Sequence, residues 1–239
     1  AWDTPAVDLL DDCPPHTTGD TGRISWSRCS PGLDGGADCN EFARWTSGRR
    51  GRWVTDVSSM LPLVAADADG LGRFRIETGS GPQAIVSLSF RLLDRARGTR
   101  AATAIPLWTG GLIGSPEYEA SHQPIELDVP ADASKVELFT ILTDRSSWRR
   151  HHSFIINGVA FDRAPDETWC TQYLPRGLIP NQEVYVAWNG CRGFEVTPEV
   201  TDVTSAIRRG ERNTITYAAI GVPSTLDPVR LASWLVISR

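Results

Sequence analysis

Most of this chain consists of short segments in which β-branched or aromatic residues alternate with polar residues, each bounded by turn residues. The predicted strands are RFRIETG (73–79), AIVSLSFRLL (84–93), AATAIPLW (101–108), PIELDV (124–129), KVELFTIL (135–142), SFIING (153–158), EVYVAW (183–188), NTITYAAI (213–220) and LASWLVIS (231–238). A helical period is nearly absent; SSMLPLVAAD (58–67) and TDVTSAIRRG (201–210) each predict one short helical turn. Many short strands with irregular connections predict an all-β fold, a β-sandwich.

Length and charge narrow the class of protein further. A chain of 239 residues can form one large all-β domain or two smaller ones. The net charge of −5 provides no basic surface, which argues against a nucleic-acid partner. No apolar run approaches the roughly 18 residues of a membrane span. The stretch DRARGTRAAT (94–103) is polar and poor in strand signals, so we expect a boundary there, with units 1–96 and 97–239.

The cysteines indicate the compartment. None of them forms a C-x-x-C pair, and their turn-rich surroundings favour structural disulfides in an oxidising compartment. Cys29 and Cys39 flank a Gly/Pro/Asp-rich turn between two β-like runs, which predicts a disulfide across a hairpin. Cys170 and Cys191 are expected to close a loop of 20 residues. Cys13 remains, either as an inert thiol or as a link to another chain, and the sequence leaves the pairing of these first three cysteines open.

The opening and the basic residues of the chain point to its origin. It starts at Ala1 without an initiator methionine or a signal peptide, which suggests a mature or processed protein. Nearly all basic residues are arginine, with Lys135 the exception, a bias typical of a GC-rich bacterial genome. We therefore expect a secreted, periplasmic or cell-surface bacterial protein.

Several segments, taken in order along the chain, resemble the peptide-N-glycosidase F family. They are Asp12-Cys13-Pro14, WVTDVSSMLPLV (53–64), RFRIETG (73–79), KVELFTILTDRSSWRRHHSFIING (135–158), the Cys170–Cys191 loop, DVTSAIRRGERNTITY (202–217) and SWLVI (233–237). The resemblance covers roughly residues 12 to 239. It implies two jelly rolls, an architecture shared with copper-dependent peptide hydroxylating monooxygenases.

The resemblance also implies an incomplete first unit. In the family a substantial segment precedes the Cys-Pro motif, whereas eleven residues precede Asp12 here. We therefore expect one complete C-terminal jelly roll and a truncated N-terminal jelly-roll-like unit. Uncovered strand edges would need protection, so a second protein chain is the expected partner that completes the N-terminal unit.

The family's first-domain site is only partly matched. Hydrolysis of a glycosylated asparagine amide needs a carboxylate that activates water and groups that bind the sugar. Glu77 matches the family's first-domain glutamate, and Arg23 matches an arginine that follows the Cys-Pro motif. Gly22 stands where the family has an aspartate, so Asp20, two residues earlier, is the candidate replacement.

The second-domain site has lost its matching groups. Ser146 or Ser147 stands at the position of the family's second-domain glutamate. Ala187 and Trp188 stand where an arginine precedes the last loop cysteine. Two of the expected catalytic or sugar-binding groups are thus absent, which argues against the same reaction.

Aromatic and histidine side chains offer further candidates. Trp148, Trp169 and Trp188 lie around the second-domain loops, where family members contact their glycan, and are either substrate-binding or packing residues. Five other tryptophans lie at alternating strand positions and are therefore predicted to be core residues: Trp26, Trp45, Trp53, Trp108 and Trp234. Adjacent residues His151 and His152 point to opposite faces of a strand, so we expect no metal and one inward, hydrogen-bonded imidazole.

Together these features predict a non-catalytic binding or assembly subunit with a possible glycan ligand and no cofactor. The alternative is a divergent glycoamidase that cleaves N-linked glycans from asparagine, with Glu77 and Asp20 as catalytic residues and Arg23 in substrate binding. The missing carboxylates discriminate between these two functions.

Overall fold

The computed structural model describes residues 3–10, 22–31, 37–47, 51–64, 74–78, 85–91, 100–144, 151–163, 198–220 and 228–239. The strands in these ranges are β1 (Asp3–Leu10), β2 (Gly22–Pro31), β3 (Ala37–Ser47), β4 (Gly51–Val54), β5 (Phe74–Thr78), β6 (Ile85–Arg91), β7 (Ala101–Leu112), β8 (Ile125–Asp128), β9 (Lys135–Asp144), β10 (His151–Ile156), β11 (Val159–Arg163), β12 (Glu199–Asp202), β13 (Arg212–Ile220) and β14 (Pro228–Ser238). The helical elements are α1 (Leu61–Val64), α2 (Pro116–Ser121) and 3-10 turns at Ser58–Met60 and Thr204–Ala206.

Two four-stranded antiparallel sheets form a sandwich from β7 to β14. One sheet has the order β12-β9-β14-β7 and the other has the order β11-β10-β13-β8. Side chains at most 2 % exposed fill the space between them, among them Trp108, Leu138, Phe154, Ile215 and Leu235. The predicted all-β sandwich is therefore confirmed at this level.

The central strands β9 and β14 are buried on both faces. Leu138 and Leu235 pack in the sandwich core, whereas their neighbours Phe139, Trp234 and Val236 pack on the opposite side of the sheet. A strand buried on both faces needs a nearly continuous apolar run, and LASWLVI (231–237) provides one. The core predictions for Trp108 and Trp234 are confirmed, at 2 % and 3 % exposure.

The outer face of β9 and β14 is covered by the N-terminal half of the chain. Among the described residues, this part of the chain forms two three-stranded sheets, in the orders β4-β1-β6 and β3-β2-β5. Phe42 and Ala43 of β3, with Val57 and Met60, form a second apolar cluster against Phe139, Ile141, Ala232, Trp234 and Val236. The indole Nε1 of Trp234 also donates a hydrogen bond of 2.9 Å to the carbonyl oxygen of Glu41. The predicted boundary at 96/97 lies outside the described residues and stays a prediction.

Most of the predicted strands are observed with shifted ends. The segments at 73–79, 84–93, 101–108, 124–129, 135–142, 153–158, 213–220 and 231–238 all contain strands, and the segment at 183–188 lies outside the described residues. The predicted helical turn at 58–67 is the 3-10 turn followed by α1, and the one at 201–210 is the 3-10 turn at Thr204–Ala206. Local alternation therefore located eight of the fourteen strands in the described ranges. The others were not among the predicted strand segments: β1, β2, β3, β4, β11 and β12.

Helix α2 was not predicted, although its start carries a recognisable signal. Ser115 is its N-cap, and its hydroxyl accepts a hydrogen bond of 3.2 Å from the amide of Tyr118. Pro116 occupies the first turn, where its missing N–H would have had no partner within the helix. The negative charges of Glu117 and Glu119 are stabilised by the positive N-terminal end of the helix dipole. The Ser-Pro-Glu sequence could have identified this six-residue helix.

An asparagine network joins the hairpin of β10 and β11 to the segment before β13. Asn213 is fully buried; its Oδ1 accepts from Arg208 N and Asn157 Nδ2, both at 2.7 Å, and its Nδ2 donates to the carbonyls of Arg208 and Glu211, both at 2.9 Å. Asn157 has a φ of 50°, a left-handed turn conformation that asparagine tolerates better than most residues. Side-chain amides thus replace the backbone pairing that this irregular segment lacks.

Candidate functional site

The β3-β2-β5 sheet contains a β-bulge that decides which residues of β3 share a face. Ala43 lies opposite Trp26 and Glu41 lies opposite Ser27, so Phe42 is an extra residue with no partner of its own. Phe42 and Ala43 both pack into the apolar cluster on β9 and β14, which shows that the two bulge residues are on one side.

The bulge brings Glu41 and Arg44 together on the other side of β3. In a regular strand, residues three apart lie on opposite faces and cannot meet. Here the Arg44 guanidinium donates from Nε to Glu41 Oε1 at 2.7 Å and from its terminal nitrogen to Oε2 at 2.6 Å. The Arg44 side chain is 2 % exposed and that of Glu41 is 17 % exposed. This is a two-pronged, charge-assisted pair of the kind that fixes a guanidinium in one orientation.

The strand register aligns this pair with the predicted first-domain residues. Arg44 is the register partner of Ser25, and Ser25 is in turn the partner of Glu77 on β5. Arg23 lies on β2 two residues before Ser25, opposite Thr46. The sheet therefore places positions 23 and 77, far apart in sequence, on adjacent strands.

A second row of residues runs across the same three strands. Glu41 is the partner of Ser27, and Ser27 is the partner of Arg75. Ser27 is buried, at 6 % exposure, and Arg75 is exposed. One row of register partners thus reads Arg-Ser-Glu from β3 to β5, and the other reads Glu-Ser-Arg.

Neither Glu41 nor Arg44 was predicted as a functional residue. Sequence alternation assigns Glu41 and Arg44 to opposite faces, because it contains no sign of the extra residue at Phe42. The pair becomes visible only when the register of β2 and β3 is known.

Several predicted site residues lie outside the described residues. These are Asp20, Trp148, Trp169, Trp188, Cys13, Cys170 and Cys191. Their predicted roles in catalysis, glycan binding and disulfide formation stay predictions.

The predicted hairpin of Cys29 and Cys39 agrees with the strand pairing. β2 and β3 are antiparallel neighbours, and Cys29 and Cys39 are partners in their register. Cys39 is disulfide-bonded. The side chain of Cys29 lies outside the described ones, so the Cys29–Cys39 disulfide stays a prediction.

The histidine pair on β10 has the predicted structural arrangement. His151 is exposed, whereas His152 is fully buried and its Nδ1 lies 2.7 Å from the hydroxyl of Tyr217. The Tyr217 ring also contacts Phe154, with ring centroids 5.0 Å apart. Among the residues that the structure describes, no three His, Cys, Asp or Glu side chains are grouped as a metal site.

Charged groups with perturbed pKa values lie at turns of the sandwich. Hydrogen bonds from the hydroxyl and the backbone amide of Thr204 lower the pKa of Asp202. The hydrogen bond from the amide is 2.9 Å long. Backbone N–H bonding and the Ser115 hydroxyl lower the pKa of Glu117 at the start of α2. A hydrogen bond from Lys135 to Glu137 raises the pKa of Lys135. The shifts of Asp202 and Glu117 reflect turn and cap formation, and that of Lys135 reflects an ion pair within β9.

Comparison with solved structures shows the fold. The structure of N-glycanase F (PNGase F) aligns with 100 % of this chain and 85 % of its own, with a TM-score of 0.73 at 15 % identity. PNGase F, a glycosylasparaginase from Flavobacterium meningosepticum, aligns with 99 % of this chain and 85 % of its own, also at 0.73, with 14 % identity. This chain has the PNGase F fold.

The fold similarity extends to PNGF-II, with less coverage of that protein. PNGF-II aligns with 98 % of this chain and 56 % of its own length, with a TM-score of 0.63 at 12 % identity. No protein-family model and no curated protein sequence matches the chain. The resemblance to PNGase F inferred from ordered motifs is thus confirmed as structural similarity over nearly the whole chain.

Neither of the helices in the described ranges has the length or apolar character required to cross a bilayer.

Proposed function

We propose that this chain is a non-catalytic binding or assembly subunit built on the PNGase F fold, with a glycan or glycosylated peptide as ligand. The observation that carries the proposal is a fold match over the whole chain, combined with the replacement of acidic residues that hydrolysis requires. Gly22 and Ser146 or Ser147 occupy positions where the resemblance implies carboxylates. A site without these groups retains shape and hydrogen-bonding capacity but has lost acid–base chemistry.

The finer fold assignment belongs to the same proposal. In the sandwich of β7 to β14, successive strands are distributed over both sheets in the orders β7-β14-β9-β12 and β8-β13-β10-β11. We assign this order to a complete eight-stranded jelly roll. The N-terminal strands, which form two three-stranded sheets among the described residues, are proposed to be a shortened jelly-roll-like unit.

A second protein chain is the proposed partner of that N-terminal unit. In the described part of the sheets, β4 and β6 flank β1, and β3 and β5 flank β2, so these four are the outer strands. Outer strands accept a further strand through backbone hydrogen bonds. Size-exclusion chromatography with light scattering, with and without reductant, tests the partner; a stable lone monomer under both conditions argues against it.

The divergent glycoamidase remains a second candidate because of one specific observation. The sheet places Glu77 on the strand next to Arg23, one register row away. These are the two residues that match the family's first-domain site. A carboxylate and an arginine on adjacent strands form the minimum from which a rebuilt site could operate.

One experiment separates the two functions. The purified protein is incubated with an N-glycosylated peptide across a range of pH, and the peptide is followed by mass spectrometry. Binding of the same peptide is measured by isothermal titration calorimetry. We expect binding without conversion of asparagine to aspartate, and weaker binding for Trp148→Ala, Trp169→Ala or Trp188→Ala.

The control is Glu77→Gln. Conversion of asparagine to aspartate that is lost in Glu77→Gln would establish the glycoamidase and overturn the non-catalytic proposal. Absence of both binding and conversion would exclude a glycan as the ligand and leave only the assembly function. The proposed secreted, periplasmic or cell-surface location is tested by fractionating cells that produce the full-length gene product.

A further inference from the structure

A small open depression lies on the outer face of the β11-β10-β13-β8 sheet, away from the sandwich core. Its volume is about 290 Å³, and the described residues that line it are Ile155, Asn157, Gly158, Arg208, Thr214 and Thr216. The alternate strand residues Phe154, Ile156 and Ile215 are buried in the core, so the strand residues that line the depression face outward. The depression is therefore separate from the β3-β2-β5 sheet and its charged pair.

A hydrogen-bonded network holds the rim of the depression in one conformation. The buried Asn213 side chain accepts a hydrogen bond of 2.7 Å from the Arg208 amide and donates one of 2.9 Å to the Arg208 carbonyl. Asn157, at the tip of the hairpin of β10 and β11, donates to the Ala206 carbonyl at 2.8 Å. It also accepts from the Thr214 amide at 3.0 Å. The rim is thus ordered before a ligand arrives, which lowers the entropy cost of binding.

The side-chain groups that this network leaves unused can all donate hydrogen bonds. Arg208 takes part only through its backbone, and its exposed guanidinium makes no hydrogen bond or ion pair within the part of the chain that the structure describes. The hydroxyls of Thr214 and Thr216 likewise have no partner among the described residues. These two threonines lie on one face of β13, roughly 7 Å apart along the strand. A cation and two hydroxyls therefore line the same depression.

The charges around the depression favour an anion at Arg208. No acidic side chain is among the described residues that line the depression. Glu126 on β8 is the register partner of Thr214, but its carboxylate lies 3.6 Å from the Arg212 guanidinium. The Asp128 carboxylate lies 3.5 Å from the same guanidinium. One cation thus faces two acidic groups there, so any affinity for an anion comes from Arg208 and not from the sheet as a whole.

We propose that this depression binds a small organic carboxylate, such as an acidic sugar, with Arg208 as its anchor. A planar guanidinium can donate two parallel hydrogen bonds to one carboxylate. The hydroxyls of Thr214 and Thr216 can donate to or accept from polar groups of the ligand. The half-buried Ile155 adds an apolar surface that suits an organic ligand better than an inorganic ion. A volume of about 290 Å³ fits a ligand of one sugar ring.

The test is a titration of the isotope-labelled protein with sodium glucuronate at neutral pH and low salt, followed by NMR. We expect shifts of the backbone amide signals of Gly158, Thr214 and Thr216 and of the Arg208 Nε–H signal. A ligand of this size should bind with a Kd of about 1 mM. Arg208→Gln should weaken binding by about tenfold or more, because it removes a charge-assisted pair of hydrogen bonds. Thr216→Val, which loses only a hydroxyl, should weaken it by about fivefold.

The matched control is Arg209→Gln, which removes the same charge from the next residue. Arg209 is exposed, but its guanidinium donates a hydrogen bond of 3.2 Å to the Ser134 carbonyl and does not line the depression. It should change the Kd by less than about twofold, because exposed charges are screened by solvent and salt. Equal losses for Arg208→Gln and Arg209→Gln would overturn the proposal, since binding would then follow the overall charge. The Tm of each variant is measured, and Arg208→Lys, which keeps the charge without the planar fork, should bind with intermediate affinity.

Two further ligands identify what is recognised. Glucose has no carboxylate and should cause no shift; a shift equal to that of glucuronate would overturn the proposal. Acetate should shift the same signals, and glucuronate binding at least about tenfold more tightly than acetate would identify an acidic sugar as the ligand. Equal affinities would support a small carboxylate from any source.

This inference and the proposed function fail separately. The absence of any shift with glucuronate and acetate, at concentrations well above the expected Kd, would overturn the carboxylate site. That result would leave the glycopeptide assay unaffected, because the assay variants Glu77→Gln, Trp148→Ala, Trp169→Ala and Trp188→Ala do not change residues of the depression. Conversely, a glycopeptide that is neither bound nor converted leaves the titration at Arg208 decisive.

Discussion

Replacement of the buried Asn213 by alanine should cost a large part of the stability of this protein. Asn213 makes four hydrogen bonds, with distances of 2.7–2.9 Å, and its side chain is fully buried. Each such bond contributes about 1 kcal/mol net. Arg208 and Glu211 are exposed, so their backbone groups can partly rebind water, which reduces the sum. We expect Asn213→Ala to lower the free energy of unfolding by about 3 kcal/mol.

The assay is equilibrium unfolding in guanidinium chloride, followed by tryptophan fluorescence and circular dichroism. For a chain of this size the predicted loss corresponds to a fall in Tm of roughly 6–12 °C. Asn213→Asp should lose at least as much near neutral pH, because a buried carboxylate would face the carbonyl oxygens of Arg208 and Glu211.

The matched control is Thr214→Ala on the next, exposed position of β13. Its backbone amide donates a hydrogen bond of 3.0 Å to Asn157 Oδ1, and the change of side chain does not affect this bond. We expect a loss below about 0.5 kcal/mol. A loss below about 1 kcal/mol for Asn213→Ala would refute the reasoning, since it would mean that water or local rearrangement replaces all four bonds.

Three further predictions concern the packing and electrostatics of the sandwich. Trp234→Phe should lower the free energy of unfolding by about 1–3 kcal/mol, because it removes the indole hydrogen bond to β3 and leaves a gap between the N-terminal strands and β14. An unchanged denaturation midpoint would count against this. Tyr217→Phe should lower the free energy of unfolding by about 1–2 kcal/mol, because the Nδ1 atom of buried His152 loses the tyrosine hydroxyl that lies 2.7 Å away. A stability equal to that of the wild type would contradict this. The pKa of Asp202 is lowered by Thr204, so its stabilising effect is present above the pKa of the unfolded chain and is lost as the pH falls through the lower, folded pKa. Asp202→Ala should therefore be less stable than the wild type at pH 6, with the difference shrinking toward pH 3. An equal difference at both pH values would refute this. The control is Asp202→Asn, whose side-chain oxygen can still accept hydrogen bonds from Thr204.

Strand positions could be predicted because they depend on neighbours in the sequence. Alternation in PIELDV and NTITYAAI follows directly from one face being more buried than the other, and both segments contain strands. The short α2 was missed although its Ser-Pro-Glu start was present, since a six-residue helix has too few residues for a visible period.

The charged pair of the candidate site could not be predicted in this way. Alternation places Glu41 and Arg44 on opposite faces of β3. Their contact arises from one extra residue at Phe42, and that residue is extra only relative to β2. A bulge is a relation between two strands, so no periodicity within one of them reports it.

The sequence by itself determined the all-β class, the positions of six of the eight sandwich strands (all except β11 and β12), and that one of the adjacent histidines His151 and His152 faces inward. These depend on local alternation of polarity, which the chain carries in every segment. Only the tertiary structure decided that β9 and β14 are buried on both faces, that Phe42 and Ala43 pack against Trp234, and that Arg44 shares a row with Glu77. These depend on register and on which sheet lies against which, and both are set by contacts between residues far apart along the chain.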